Sequence, residues 1–144
     1  MPDFELHPRL AADTIEVGEL ELCKLLLMND AHYPWLVLVP RRAGVREIFQ
    51  LARADQHLLL AESSMLAERM QLHFAAHKMN LAALGNLVPQ LHIHLIARHT
   101  HDLAWPAPVF GLHPAQPYTD DELQKLRTIL QEWIRECASR QSVM

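Results

Sequence analysis

Cysteine is scarce: Cys23 and Cys137 are the two in 144 residues, with no metal-ligand spacing and no disulfide framework. They read as small apolar core groups of a protein in a reducing compartment. Excess positive charge is also missing. Thirteen Lys and Arg against seventeen Asp and Glu leave a formal charge of −4, which disfavours non-specific binding to a phosphate backbone. No apolar run, Trp35 to Val39 being among the longest, approaches the roughly 20 residues that span a bilayer. The opening Met1-Pro2-Asp3-Phe4-Glu5-Leu6-His7 puts acidic residues where a secretory signal needs basic ones. Neither a nucleic acid nor a membrane is an expected partner, and a cytoplasmic location is expected. The chain has no internal repeat or low-complexity tract.

What is present is a composition that is 50% hydrophobic and 21% charged, ordinary for a folded globule. The length suits a single domain over 1–144, with a core of about 3–112 and a carboxy-terminal helix of about 119–139. Ten histidines are the compositional oddity, since His alone changes charge near neutral pH without special help.

The apolar alternation from Glu19 to Met28 predicts a first strand, and Trp35 to Val39, closed by Pro40, predicts a second that pairs with it as a hairpin. From Asp55 to His77 there is neither Gly nor Pro, and Leu59, Ser63, Leu66, Met70 and Phe74 recur at helical steps. That predicts a long amphipathic helix capped by Asp55. Lys78 to Leu84 and Leu91 to Arg98 read as two further paired strands around a Gly85-Asn86 turn. Pro106, Pro108, Pro114 and Pro117 then hold the chain out of regular structure. Thr119-Asp120-Asp121-Glu122 is a capping box, and Leu123, Leu126, Leu130, Trp133 and Cys137 give the last helix one apolar face.

In Gln90-Leu91-His92-Ile93-His94-Leu95-Ile96 the two-residue period of a strand sends Leu91, Ile93 and Leu95 to one face and Gln90, His92 and His94 to the other. Two imidazoles one strand repeat apart, about 7 Å, can bracket a phosphate, one as nucleophile and the other as hydrogen-bond donor. A neutral imidazole attacks phosphorus at pH 7 because its unperturbed pKa is about 6.5. The attacking nitrogen must be bare, so the other ring nitrogen should donate to a fixed acceptor such as a backbone carbonyl. No metal is required. Two other readings stay open: a solvated strand face on which the histidines have no task, and a metal site built from His92 and His94 with His99, His101 or His113, to which Asp102 adds the one acidic neighbour.

At this strand the sequence resembles the histidine triad family of nucleotide hydrolases and transferases, whose motif is His-x-His-x-His followed by two apolar residues. Gln90 stands at the first histidine position, His92 at the second and His94 at the third, and Leu95-Ile96 complete the apolar end. The order of elements is similar along nearly the whole chain. Gly85-Asn86-Leu87-Val88-Pro89 also resembles the Gly-Gln-x-Val-x turn that precedes the motif. The likeness is greatest to small bacterial members that resemble diadenosine tetraphosphate hydrolases.

The resemblance implies an α+β, HIT-like fold: an antiparallel sheet with a long central helix and a carboxy-terminal helix. It implies that His92 attacks the α-phosphate of a purine nucleotide or dinucleotide conjugate, forming a nucleotidyl-histidine that water hydrolyses, while His94 holds the phosphate oxygens. Asn29 would meet the ribose hydroxyls, Asn80 the phosphate, and Asn86 in the turn would join them in binding substrate. No cofactor is implied. Gln90 departs from the motif, but the family uses the backbone carbonyl of that residue to receive the nucleophile's N–H, and a backbone group survives a change of side chain. Trp35 stands where members often carry another histidine. A homodimer is implied, with contact through the long helix and the neighbouring strand. Arg98, Arg41 and Arg42 are candidates to steer the anionic substrate. The competing functions are a nucleotide-binding module that has lost its chemistry, with Gln90 marking the loss, and a His-rich metal-binding protein.

Overall fold

A computed structural model describes residues 3–143. Met1, Pro2 and Met144, which the sequence reading took into the amino-terminal stretch and the single domain, lie outside the described residues. In chain order the elements are α1 (Pro8–Asp13), β1 (Thr14–Glu19), β2 (Cys23–Met28), β3 (Trp35–Pro40), α2 (Arg53–Phe74), β4 (Lys78–Ala82), β5 (Ile93–Arg98) and α3 (Asp120–Val143), with a 3₁₀ turn at Ile48–Gln50. The strands form one antiparallel sheet in the order β1-β2-β3-β5-β4. The architecture is α+β, as the sequence implied. Among the described residues no helix is long and apolar enough to cross a membrane.

Every residue of β3 and of β5 is buried, because each side of the sheet has its own cover. On one side Leu25, Leu36, Leu38 and Leu95 pack with Leu59, Leu66 and Met70 of α2 and Leu130 and Trp133 of α3. On the other, Leu26, Val37, Val39 and Ile96 pack with Leu10 of α1 and with Ala104 and Val109 of the loop that follows β5. Burying one such Leu side chain contributes about 1.5–3 kcal/mol. The polar side of the histidine strand is therefore not a solvated face.

The hairpin of β2 and β3 pairs as expected, but its first strand is shorter than the alternation suggested. Glu19 ends β1, and the Leu20 N–H donates to the Cys23 carbonyl across the turn into β2. The preceding strand escaped the two-residue pattern because Val17 is the extra residue of a bulge between Glu16 and Gly18. Gly18 also lets α3 approach: a Cβ there would lie 2.9 Å from Ile134 Cδ1.

Helix α2 ends at Phe74 rather than His77, where Ala75 turns into the left-handed region at φ 50°. Its cap is Ala52, and Asp55 lies inside the first turn with its carboxylate on Arg42 at 2.7 and 3.0 Å. Strand β4 stops at Ala82, short of Leu84, and β5 begins at Ile93, because the Leu91 N–H leaves the ladder and donates to the Val45 carbonyl. The capping box before α3 forms in both directions, Thr119 N–H to the Glu122 carboxylate and Glu122 N–H to the Thr119 hydroxyl.

Leu59, Ser63, Leu66 and Met70 of α2 are buried as their spacing predicts, and so is Glu62, which the periodicity passed over. The Glu62 carboxylate accepts from the Leu22 N–H at 2.9 Å and the Cys23 N–H at 3.0 Å, satisfying two donors where β2 begins under the helix. Burial, together with the Glu62 charge, pushes the Cys23 thiol well above its ordinary range, which keeps it an inert core group. Replacing Glu62 by Ala orphans two buried N–H groups, so the expected loss is about 2–4 kcal/mol. Urea denaturation of Glu62→Ala beside wild type measures it, and a change within about 0.5 kcal/mol, the usual scale of surface substitutions, would contradict this account.

Candidate active site

His92 lies just before β5 and is 6% exposed. Its Nδ1 is 2.7 Å from the Gln90 carbonyl oxygen. A carbonyl only accepts, so Nδ1 carries the proton and donates, and Nε2 is left bare. The ring lines a cleft of about 430 Å³ whose walls also include Arg9 and Leu10 of α1, the turn from Leu84 to Val88, and Phe110. The ring therefore borders open space, which a nucleophilic role requires.

His94, on β5, lines the same cleft. The Trp35 indole N–H donates to His94 Nδ1 at 3.0 Å, and since an indole can only donate, the His94 proton sits on Nε2. The two rings thus hold opposite tautomers, one with a bare Nε2 and one with an Nε2–H. Their centroids are 4.9 Å apart, closer than the strand repeat, and the rings sit edge to face at 75°. Burial, reinforced by His92 alongside, lowers the His94 pKa to about 4, so the ring donates as a neutral group at pH 7.

The other expected residues divide. Asn86 lines the cleft with the histidines. The Gln90 side chain turns from the cleft and binds the amino-terminal segment: its oxygen accepts from the His7 N–H at 2.9 Å and its nitrogen donates to the Glu5 carbonyl at 2.8 Å. Asn29 faces an adjacent cavity of about 320 Å³ that shares Asp13, Met28 and Gly111 with the cleft, and its side-chain oxygen accepts from the Tyr118 N–H at 2.9 Å. Asn80 is not brought to the cleft; its oxygen accepts from Arg98 at 2.9 Å.

Arg98 cannot steer a substrate, since it is 2% exposed and tied to Asp102 at 2.8 Å. Arg41 and Arg42 bind the Leu20 and Glu21 carbonyls and Asp55 and lie outside the cleft lining. His99 Nε2 lies 2.8 Å from the Phe74 carbonyl, and Asp102 serves Arg98. Among the described residues no group of three His, Cys, Asp or Glu could hold a metal ion. Sequence reasoning missed α1, whose six residues are too few to show a period, and with it Arg9, which is the one Lys or Arg among the described residues lining the cleft. It also missed that Trp35 sets the His94 tautomer, for which a single aromatic residue gives no local signal.

Because folded His94 binds a proton less readily than an unfolded imidazole, its contribution to stability is complete above about pH 6.5. It is lost as the pH falls from there toward the folded value of about 4. Histidine-ring NMR should find His94 neutral at pH 6 and titrating near 4. A resonance assigned to His94 that titrates at or above 6.5 would refute the geometry.

The HIT domain family model matches residues 9–101. Among solved structures, a histidine triad protein from Marinobacter aquaeolei VT8 is 50% identical with a TM-score of 0.92, over 94% of this chain and 99% of that one. A histidine triad protein from Bradyrhizobium japonicum is 45% identical with a TM-score of 0.90, over 92% and 99%. One from Sinorhizobium meliloti 1021 is 42% identical with a TM-score of 0.86, over 92% and 96%. No curated protein sequence matches the chain. The family match and these three likenesses agree with the paired histidines and the sheet that carries them: the chain belongs to the histidine triad family, which is generally one of nucleotide hydrolases or transferases, some members lacking activity.

Proposed function

We propose that this protein cleaves a phosphoanhydride or phosphoramidate bond at the α-phosphate of a purine nucleotide conjugate, by way of a nucleotidyl-histidine on His92. The observation that carries the reading is the 2.7 Å bond from His92 Nδ1 to the Gln90 carbonyl, which leaves a bare Nε2 on a ring lining the cleft. In the first step that nitrogen's lone pair forms an N–P bond while the bond from phosphorus to the departing oxygen or nitrogen breaks, the departing group taking the electron pair. In the second, a water oxygen attacks the same phosphorus and the N–P bond breaks. The nucleoside monophosphate leaves, a proton goes to solvent, and His92 is again neutral. The Nε2–H of His94 donates to a non-bridging oxygen and strengthens that bond as charge builds there.

Asn86 at the cleft and Asn29 in the neighbouring cavity support binding of the rest of the substrate, with the apolar Leu87, Val88 and Phe110 beside a flat base. Arg9 is suited to an anionic leaving group at the rim. Exposed Leu72 on α2 and Leu81 on the edge strand β4 support pairing of two copies through that side. The whole described chain is taken as one working unit of a cytoplasmic homodimer.

Adenosine 5′-phosphoramidate and diadenosine tetraphosphate, assayed for AMP release, test the reaction. His92→Ala should abolish turnover while retaining affinity for AMP, and His94→Ala should lower kcat by about 10²–10³-fold, the usual cost of one lost oxyanion donor. Full activity of His92→Ala on every conjugate that wild type cleaves would remove His92 as nucleophile. Tight AMP binding without release from either conjugate favours the binding module that lost its chemistry.

A further inference from the structure

The loop from His99 to Thr119 contains no helix or strand, yet it supplies one wall of the cleft. Phe110 stands with its ring centroid 5.0 Å from that of His94 and 5.6 Å from that of Trp35. It is only half-buried, and an irregular segment is held in one conformation only when something offsets its backbone entropy. The holding group lies at the end of β5.

Arg98 shares a strand face with His94, two strand repeats on. Its guanidinium is always charged, and burying it requires that its donors be met. They are met chiefly by the loop. Nε and Nη2 donate to the two Asp102 oxygens at 2.8 and 3.1 Å, Nη2 also donates to the Ala107 carbonyl at 2.8 Å, and Nη1 reaches Asn80 on β4. The rings of Tyr33 and Trp105 lie against its faces, at 5.9 and 5.6 Å. Asp102 in turn accepts from the N–H groups of His99 at 3.1 Å, Ala104 at 3.1 Å and Trp105 at 2.7 Å. Burial alone would raise the Asp102 carboxyl, but Arg98 and the His99 and Trp105 N–H groups overcome it and hold it down to about 2. One ion pair thus collects the loop backbone from residue 99 to residue 107, three residues before Phe110. A buried pair of this kind is poor value as a source of stability but good at imposing one geometry.

We propose that Arg98 and Asp102 are positioning residues for the cleft: their ion pair fixes the loop after β5 so that Phe110 stands against His94 and Trp35 and closes that side of the cleft. The consequence is chemical. With Phe110 in place water is kept from the His94 ring, the ring stays neutral, and its Nε2–H is aimed by Trp35. The kinetic part of this proposal rests on His94 being the phosphate donor proposed above; the structural part does not.

Asp102→Asn keeps the side chain's shape but points donors at donors, and Phe110→Ala removes the wall while leaving the clasp intact. Each is followed by the NMR titration of His94 and by kcat and KM on the conjugate that wild type cleaves. In both variants His94 should titrate above about 4, moving toward the ordinary value of about 6.5. In both, kcat/KM should fall by up to about 10²-fold, the scale of a misplaced reacting group. The double variant should be no worse than Phe110→Ala alone, because the clasp acts through that ring. Losses that multiply in the double variant, or an unmoved His94 titration in Asp102→Asn, would overturn the proposal. If Asp102→Asn does not fold, Arg98→Lys replaces it, since an ammonium cannot reproduce the forked pair with Asp102: a His94 titration shifted in both Arg98→Lys and Phe110→Ala supports the proposal, and an unmoved one in either overturns it. A wild-type protein that cleaves no conjugate defeats the proposed function, while the His94 titration still decides the clasp.

Discussion

One main-chain oxygen, that of Gln90, sets the chemistry available to this protein. By accepting from His92 Nδ1 at 2.7 Å it chooses the tautomer, and with it which ring nitrogen carries the lone pair. Trp35 makes the opposite choice for His94 by donating to Nδ1. Two identical side chains, 4.9 Å apart between ring centroids, are thereby made into unlike groups, a bare nitrogen and an N–H. Neither assignment depends on the Gln90 side chain. Its amide is occupied elsewhere, on the backbone of Glu5 and His7 just ahead of the α1 wall of the cleft.

The second constraint is burial on both sides of the sheet. The helices α2 and α3 cover one face, and α1 with the loop after β5 covers the other. Polar groups on the second face therefore had to be satisfied within the protein. Where a wall was left incomplete, the histidines border open space; where it closed, Arg98 and Asp102 neutralise one another and gather the loop around them. The same enclosure lowers the His94 pKa to about 4 and keeps that imidazole uncharged across the physiological range.

Much of this was legible from residue order. The alternation around Ile93 placed His92 and His94 on one face, the helical steps from Leu59 to Met70 marked the buried side of α2, and Thr119 with Glu122 announced the start of α3. Other features were hidden for definite reasons. The bulge at Val17 broke the period of β1, and α1 is shorter than two turns. The helical steps passed over Glu62 because its partners, the N–H groups of Leu22 and Cys23, are some forty residues away. Asn80 and Arg98 looked available to a phosphate until pairing of β4 with β5 put them in contact with each other.

The sequence by itself determined most of the elements, the face carrying the two histidines and the membership of a family, because period and residue type are local properties of a chain. Only the tertiary structure decided which ring nitrogen is bare, which arginine is spent on an internal ion pair, and which aromatic ring walls the cleft. Each of those depends on partners brought together from distant positions, Trp35 with His94, Arg98 with Ala107, Phe110 with both rings, and no spacing along the chain encodes such meetings.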